Sequence, residues 1–199
     1  MTLVQHTSKS QEHHSPSFIL EPARNLMGGI DLDPASSDIA NERVGATYYL
    51  DKESDGLDSR WNIEYLCDHR KDRPSRIFLN PPGGKAPGIP SLQKAFWNKL
   101  IGEYQAGRVE QAIFLAFSIE LLQTSQNGQD DPAFWCTSYP FCIPSKRISY
   151  INQDGNPQKS PPNASAIIYL PPKSRSGVEL VDKFSALFSN IGAVVIPIS

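Results

Sequence analysis

Four residues, Asn80-Pro81-Pro82-Gly83, follow the apolar run Ile77-Phe78-Leu79. Two prolines fix the backbone there and remove two N–H donors. Their carbonyls and the Asn80 amide oxygen remain as acceptors on a rigid turn. Such a cluster suits a ligand that presents an NH2 group, and adenine N6 is one. Its lone pair is delocalised into the ring, which makes it a poor nucleophile. Accepting both hydrogens favours a tetrahedral, more reactive nitrogen. Direct displacement at a sulfonium methyl then needs no covalent intermediate. An Asn-Pro pair also ends strands without binding anything, so the tetrapeptide decides nothing alone.

Ile30-Asp31-Leu32-Asp33-Pro34-Ala35-Ser36 is a second cluster. A carboxylate at the end of a buried strand commonly accepts from ribose hydroxyls, and Asp33 is the better placed of the two. Asp31 has the same parity, so both side chains are expected on one side of the strand. The plainer alternative has Asp33 capping a helix that begins near Pro34. Asp55-Gly56-Leu57 with Trp61 offers either a loop carboxylate that accepts from an adenine amine or a solvated turn. In Ser145-Lys146-Arg147, two adjacent cations suit phosphate or simply end a strand in solvent. Lys85, in the Gly-rich loop after the Asn-Pro-Pro turn, is another phosphate candidate. His13 and His14 have no partner at metal-ligand spacing and read as part of a mobile arm, so no metal is expected.

The elements that position these clusters follow from periodicity and punctuation. Residues 16–25 predict a short helix with Ser15 as cap and Pro16 at its first position. Strands are expected over 29–33, 46–50, 77–79, 111–117 and 166–170, with a last one over 193–198. Residues 139–144 and 147–151 read as strand edges. Helices are expected over 36–44 and 179–189, and over 92–105, where Leu92, Phe96, Leu100 and Tyr104 recur at helical spacing. Continuous apolar strands separated by helices imply a sheet covered on both faces. The expected architecture is one Rossmann-like α/β domain with a mixed sheet, spanning 15–199 after a flexible arm of 1–14. In such sheets ligands bind beyond the carboxyl ends of the strands, where both main clusters fall.

Bulk properties set limits. The chain has 199 residues, 39% hydrophobic and 20% charged, which suits one soluble domain. A net charge of −2 gives no global basic field, so any nucleic-acid contact must come from a local patch. Cys67, Cys136 and Cys142 form no CxxC pair, and three is an odd number, so free thiols are expected rather than zinc or a disulfide framework. No apolar run approaches a membrane span, and the polar start is no signal peptide. A reducing cytoplasm is the expected location.

Taken in order, these clusters resemble the phage-encoded DNA adenine-N6 methyltransferases, the Dam-like enzymes of phages and prophages. The resemblance is carried by Ser15-Pro16, Asp31-Leu32-Asp33-Pro34-Ala35-Ser36, Asp55-Gly56-Leu57 with Trp61, and Asn80-Pro81-Pro82. It continues through Pro144-Ser145-Lys146-Arg147-Ile148 and Asn163-Ala164-Ser165-Ala166, covering roughly residues 15–170. It implies S-adenosyl-L-methionine as methyl donor and adenine in DNA as acceptor, flipped out of the duplex to be reached. It also implies Asn80 and the Pro81 carbonyl as acceptors of the amine, and the Asp33 and Asp55 carboxylates on the cofactor. Two departures stand out. The family's aromatic fourth motif residue is Gly83 here, so stacking on the base falls to Phe117, Trp97 or Tyr139. The usual glycine-rich cofactor loop is absent, which assigns the methionine end of the cofactor to Ser15-Pro16. Other amines, in RNA, nucleotides or protein glutamine, would suit the same chemistry. A degenerate nucleic-acid-binding fold is the non-enzymatic alternative.

Overall fold

The computed structural model describes residues 14–61, 75–152, 155–159, 161–174 and 176–198. In chain order the elements are α1 (Ser17–Met27), β1 (Leu32–Asp33), α2 (Asp38–Val44), β2 (Tyr48–Tyr49), β3 (Ser75–Leu79) and α3 (Leu92–Gln105). There follow β4 (Val109–Ala116), the four-residue α4 (Leu121–Thr124), two 3-10 turns (Pro132–Phe134 and Cys136–Ser138), β5 (Phe141–Pro144), β6 (Ala166–Leu170), α5 (Ser176–Phe188) and β7 (Gly192–Val195).

The central strands end in apolar runs because each divides its side chains between two cores. Ile77 and Leu79 of β3, Phe114 of β4 and Ile168 of β6 pack on one face with Phe96, Trp97 and Leu100 of α3. Phe78, Ile113 and Ile167 point the other way, to Ile19, Leu20 and Ala23 of α1 and to Phe184 and Phe188 of α5. This period-2 split buries both faces of the sheet.

Among the described residues, seven strands run in the order β2-β1-β3-β4-β6-β5-β7. β2, β1, β3 and β4 are parallel, while β6 opposes β4, β5 opposes β6 and β7 opposes β5. The fold is thus α/β with a mixed sheet. The chain leaves β1 outward to β2, then returns to β3 on the other side of β1. The carboxyl edge between β1 and β3 is therefore a topological switch point.

Several local expectations are corrected. Ser15 does not cap α1: the N-cap is Pro16, with no side-chain bond. Asp33 does not cap α2: the Ser37 hydroxyl does, accepting from the Ala40 N–H at 3.3 Å. Residues 147–151 form no strand, only isolated bridges of Ile151, one to Pro157 and one in which it exchanges two backbone hydrogen bonds with His14. His14 is 4% exposed, so it belongs to the domain rather than to an arm. Residues 1–13 lie outside the described residues, as does Cys67. Cys136 and Cys142 are buried free thiols, pushed by burial up to about 12 and about 11. Among the described residues no helix is long and apolar enough to cross a membrane.

Candidate functional site

The strand directions gather the clusters on one edge. β1, β2, β3, β4 and β5 all end there, while β6 begins there, because Ala166 pairs with Ala116. That edge carries Asp33-Pro34-Ala35 after β1, Asn80-Pro81-Pro82-Gly83 and Lys85 after β3, Phe117 after β4, and Lys146-Arg147 after β5. Three inter-strand steps of ~4.8 Å put the end of β5 about 14 Å from that of β3.

Asp31 and Asp33 have separate tasks, against their expected equivalence. Asp31 is 1% exposed and its two oxygens accept from Arg76 Nε at 2.8 Å and Nη2 at 2.7 Å. The Arg76 backbone N–H adds a third bond at 2.9 Å. Arg76 also donates to the carbonyls of Met27 and Gly28, holding the end of α1 against the sheet. The hydrogen bond to Asp31 raises the guanidinium pKa. Asp31 is therefore part of the frame and is not offered to a ligand.

Asp33 is also buried, at 2% exposure, but the hydrogen bond it accepts at the end of β1 is a long one, 3.2 Å from the Ala35 N–H. Burial pushes its carboxyl up to about 7, against the Ala35 N–H and the nearby Ser36 hydroxyl. The Ser36 hydroxyl comes close without making a bond of ordinary length. A buried carboxylate so thinly compensated is an acceptor in want of donors.

Gly56 and Trp61 explain the third cluster. An ideal Cβ on Gly56 would meet the Pro34 carbonyl oxygen at 1.9 Å, so the loop rests directly on the end of β1. The buried Trp61 donates from its indole to the Gly56 carbonyl at 2.8 Å and stacks near Phe96. Asp55, at φ 41°, accepts from the Leu57 N–H at 3.0 Å and is exposed. The cluster thus locks onto the Asp33-Pro34 end while presenting Asp55 at the surface.

Pro81 is buried, whereas Pro82, Gly83 and Lys85 are exposed and Asn80 is intermediate. Gly83 faces the ring of Phe117: a Cβ there would lie 3.4 Å from its Cζ and 3.6 Å from its Cε1. The other two aromatic candidates are elsewhere. Trp97 is fully buried and bonded to the Phe134 carbonyl, and Tyr139 packs edge-on against Trp97 while its hydroxyl donates to the Ala133 carbonyl.

Ser15 is 2% exposed and its hydroxyl has no hydrogen-bond partner among the described residues. Its neighbour His14 is bridged to Ile151, the Tyr150 hydroxyl lies 3.4 Å from Ser165 Oγ, and Ser165 Oγ reaches the Phe117 carbonyl. This chain of contacts ties the start of α1 to the same edge.

Lys146 and Arg147 are exposed, and Arg147 steadies itself on the Pro161 carbonyl at 3.1 Å. Lys94 and Lys99 of α3 are engaged internally. Lys94 donates to the carbonyls of Thr124 and Asn127, and Lys99 pairs with Glu103 at 3.0 Å. Sequence patterns did not single out Asp51, two residues beyond β2. Its Oδ1 accepts from Glu53 and Ser54, and the Ser54 N–H and hydroxyl lower its pKa. Its spacing of 18 residues from Asp33 was the usable signal, since an acidic residue about 20 positions on reaches ribose in doubly wound folds. Among the described residues no group of three His, Cys, Asp or Glu side chains could hold a metal ion.

No protein family, curated protein or solved structure matches the chain.

Proposed function

We propose that this chain is an S-adenosyl-L-methionine-dependent methyltransferase with a Rossmann-like fold, acting on the N6 amine of adenine in DNA in the cytoplasm. One observation carries the reading. The Asn80-Pro81 acceptors and the Asp33 carboxylate stand at the ends of adjacent parallel strands, β3 and β1, on either side of the switch point.

The residues present fit such a cofactor. Asp33 is a buried carboxylate short of donors, Ser15 carries a buried hydroxyl without a partner among the described residues, and Asp51 lies two residues beyond the next strand. Together they suit a ligand with hydroxyl and amine donors. S-adenosyl-L-methionine has both, and when bound it supplies an electrophilic methyl group on a sulfonium. Asp33 and Asp51 would take the ribose and Ser15 the methionine end, with Asp55 near the adenine.

Asn80 and the Pro81 carbonyl would accept the two hydrogens of the acceptor amine, turning its lone pair toward the methyl. Pro81 and Pro82 bring no N–H of their own to compete for these acceptors. Lys85, Lys146 and Arg147 would meet phosphates, the last two about 14 Å from the acceptor turn along the sheet edge.

The test is incubation of the purified protein with labelled S-adenosyl-L-methionine and unmethylated duplex DNA, RNA or protein, followed by digestion. N6-methyladenine from DNA is the expected product. Label in RNA or in glutamine would reassign the acceptor, and no transfer to any of them would overturn the reading. Asn80→Ala should retain cofactor binding and lose turnover by roughly 10²-fold, the cost of one acceptor aimed at the transition state.

A further inference from the structure

β7 is the last strand of the sheet, and among the described residues only β5 pairs with it. The ladder fixes where its backbone groups point. β5 and β7 are antiparallel, with Phe141 opposite Val195 and Pro144 opposite Gly192. One step further, the Ser145 N–H donates to the Ile191 carbonyl at 3.0 Å, so 145 and 191 are a hydrogen-bonded pair. Such pairs alternate along an antiparallel ladder. Ala193 and Val195 therefore turn their N–H and C=O toward β5, while Gly192 and Val194 turn theirs outward. The far side of β5 agrees. The Tyr169 N–H donates to the Pro140 carbonyl, which gives Pro140 and Cys142 to β6 and leaves Phe141 and Ile143 for β7. Ile196 follows on the outward side, kept extended by the proline after it. Pro197 falls on the inward side, so its missing N–H does not interrupt the outer row.

Charge commonly blunts an edge strand, and here there is none. Residues 184–199 hold no Asp, Glu, Lys or Arg. The opposite edge strand, β2, is two residues long and is followed by Leu50-Asp51-Lys52-Glu53. Among the described residues six large apolar side chains are exposed, and four of them gather beside β7. Val195 is in the strand, Ile196 and Ile198 follow it, and Val178 is in the first turn of α5. Ile196 and Ile198 share a cavity with Val181 of α5, which places the helix start beside them.

We infer that β7 pairs antiparallel with β7 of a second copy of this chain, about a two-fold axis at Val194. The occupant is a second copy because the outer row is self-complementary about that residue. Val194 meets its own counterpart, and Gly192 of one copy meets Ile196 of the other. Every outward N–H and C=O then finds its complement, in six backbone hydrogen bonds. The side chains fit the same register. Ile196, the largest of the row, lies opposite the residue without a side chain, and Ala193 lies opposite Val195 on the other face. At one hydrogen bond per about 100–200 Å2, six accompany about 600–1,200 Å2 of buried surface, the size of a reversible dimer. The axis stands perpendicular to the sheet, so the carboxyl edges of the two copies point in opposite directions. β3 lies four strand steps, about 19 Å, from β7, so the interface leaves the Asn80 turn of each copy clear. The inference is independent of the methyltransferase reading.

The test uses the full chain and no cofactor. Sedimentation velocity from about 1 to 100 µM should show monomer giving way to dimer. Val195→Lys sets a cation on the pairing strand and should weaken dimerisation by about 100-fold or more, while Tm measured at about 1 µM stays unchanged. The register is tested in a Cys67→Ser background. Ala193 and Val195 of opposite copies form a non-hydrogen-bonded pair with Cα atoms about 4.5 Å apart, within disulfide reach. A mixture of Ala193→Cys and Val195→Cys chains should yield a cross-linked dimer on mild oxidation, and either variant alone should not. A wild type that stays monomeric throughout, as when another part of this chain covers β7, overturns the inference. So does a dimer that Val195→Lys leaves intact, or cross-linking as abundant in one variant alone as in the mixture.

Discussion

Gly56 lies so close to Pro34 that a Cβ on it would stand 1.9 Å from the Pro34 carbonyl oxygen and 3.2 Å from the ring of Phe96. Neither neighbour can yield cheaply, since one is backbone and the other is packed core. The contact fastens the Asp55 loop to the end of β1. Gly56→Ala must therefore push the loop off the strand. We expect a loss of about 2–3 kcal/mol, typical of overpacking at a rigid site. At this chain length that lowers Tm by roughly 4–12 °C, and cofactor affinity should fall with it. Gly102→Ala is the matched control. Gly102 lies inside α3 with nothing within 4 Å of its Cβ position, so alanine should stabilise by about 0.5–1 kcal/mol. Differential scanning calorimetry of the two variants decides both.

The buried Asp33 carboxyl makes stability and binding depend on pH in opposite senses. Its pKa stands at about 7 in the fold against 3.8 in the unfolded chain. The folded state therefore holds the proton more tightly, and the contribution of Asp33 to stability is lost as pH rises from 3.8 to about 7, then stays constant. Between these limits the wild type should lose stability relative to Asp33→Asn by up to about 1.4 kcal/mol per pH unit. Hydroxyl and amine donors from a ligand favour the ionised form. Cofactor affinity should thus rise with pH, by up to about tenfold per unit below 7, and level off above it. Calorimetric titration with S-adenosyl-L-methionine across pH 5–9 checks this, and a flat profile would remove Asp33 from the proposed cofactor site.

Arg76 should be indispensable to the frame and irrelevant to the chemistry. Arg76→Ala would strand the Asp31 carboxylate, 1% exposed, without its charged partner and release the two carbonyls at the end of α1. Breaking one side of such a buried pair costs about 3–5 kcal/mol. Arg76→Lys should recover little, because an ammonium cannot bridge both oxygens of Asp31 and the helix end together. Urea denaturation would show this. A milder loss, below about 1 kcal/mol, would mean that the pair is not holding α1 in place.

What the sequence disclosed was mostly local. Residues 92–105 and 166–170 match α3 and β6 because period and punctuation act within one segment. The Asn80 turn at a strand end was legible for the same reason. Other features needed the sheet. Parity alone put Asp31 and Asp33 together, but Arg76 comes from β3, 45 residues on, and claims only Asp31. Lys94 of α3 is taken by carbonyls 30 and 33 residues on, at the end of α4 and in the turn after it, which no local pattern shows. Nothing local to Phe117, Trp97 or Tyr139 says which ring stands beside Gly83; that follows from β3 and β4 being neighbours. Gly56 read as part of a turn, and its need to be glycine arises only from Pro34 across the fold.

The remaining cations divide the lysines and arginines into two experimental classes. Lys146 and Arg147 are exposed at the carboxyl edge, whereas Lys94 is held by two carbonyls at 2.8 Å. For a duplex bound along that edge, each phosphate contact releases condensed counterions and adds about 0.9 to the slope of log K against log salt concentration. Replacing both Lys146 and Arg147 by alanine should make the slope shallower by about 1.8, with thermal stability nearly unchanged. Lys94→Ala should do the opposite. It leaves the carbonyls of Thr124 and Asn127 without their donor, lowering stability by about 1 kcal/mol, and leaves the slope where it was. Fluorescence anisotropy with a labelled duplex between 50 and 200 mM salt separates the two behaviours. An unchanged slope in the double variant would place the nucleic acid on another face.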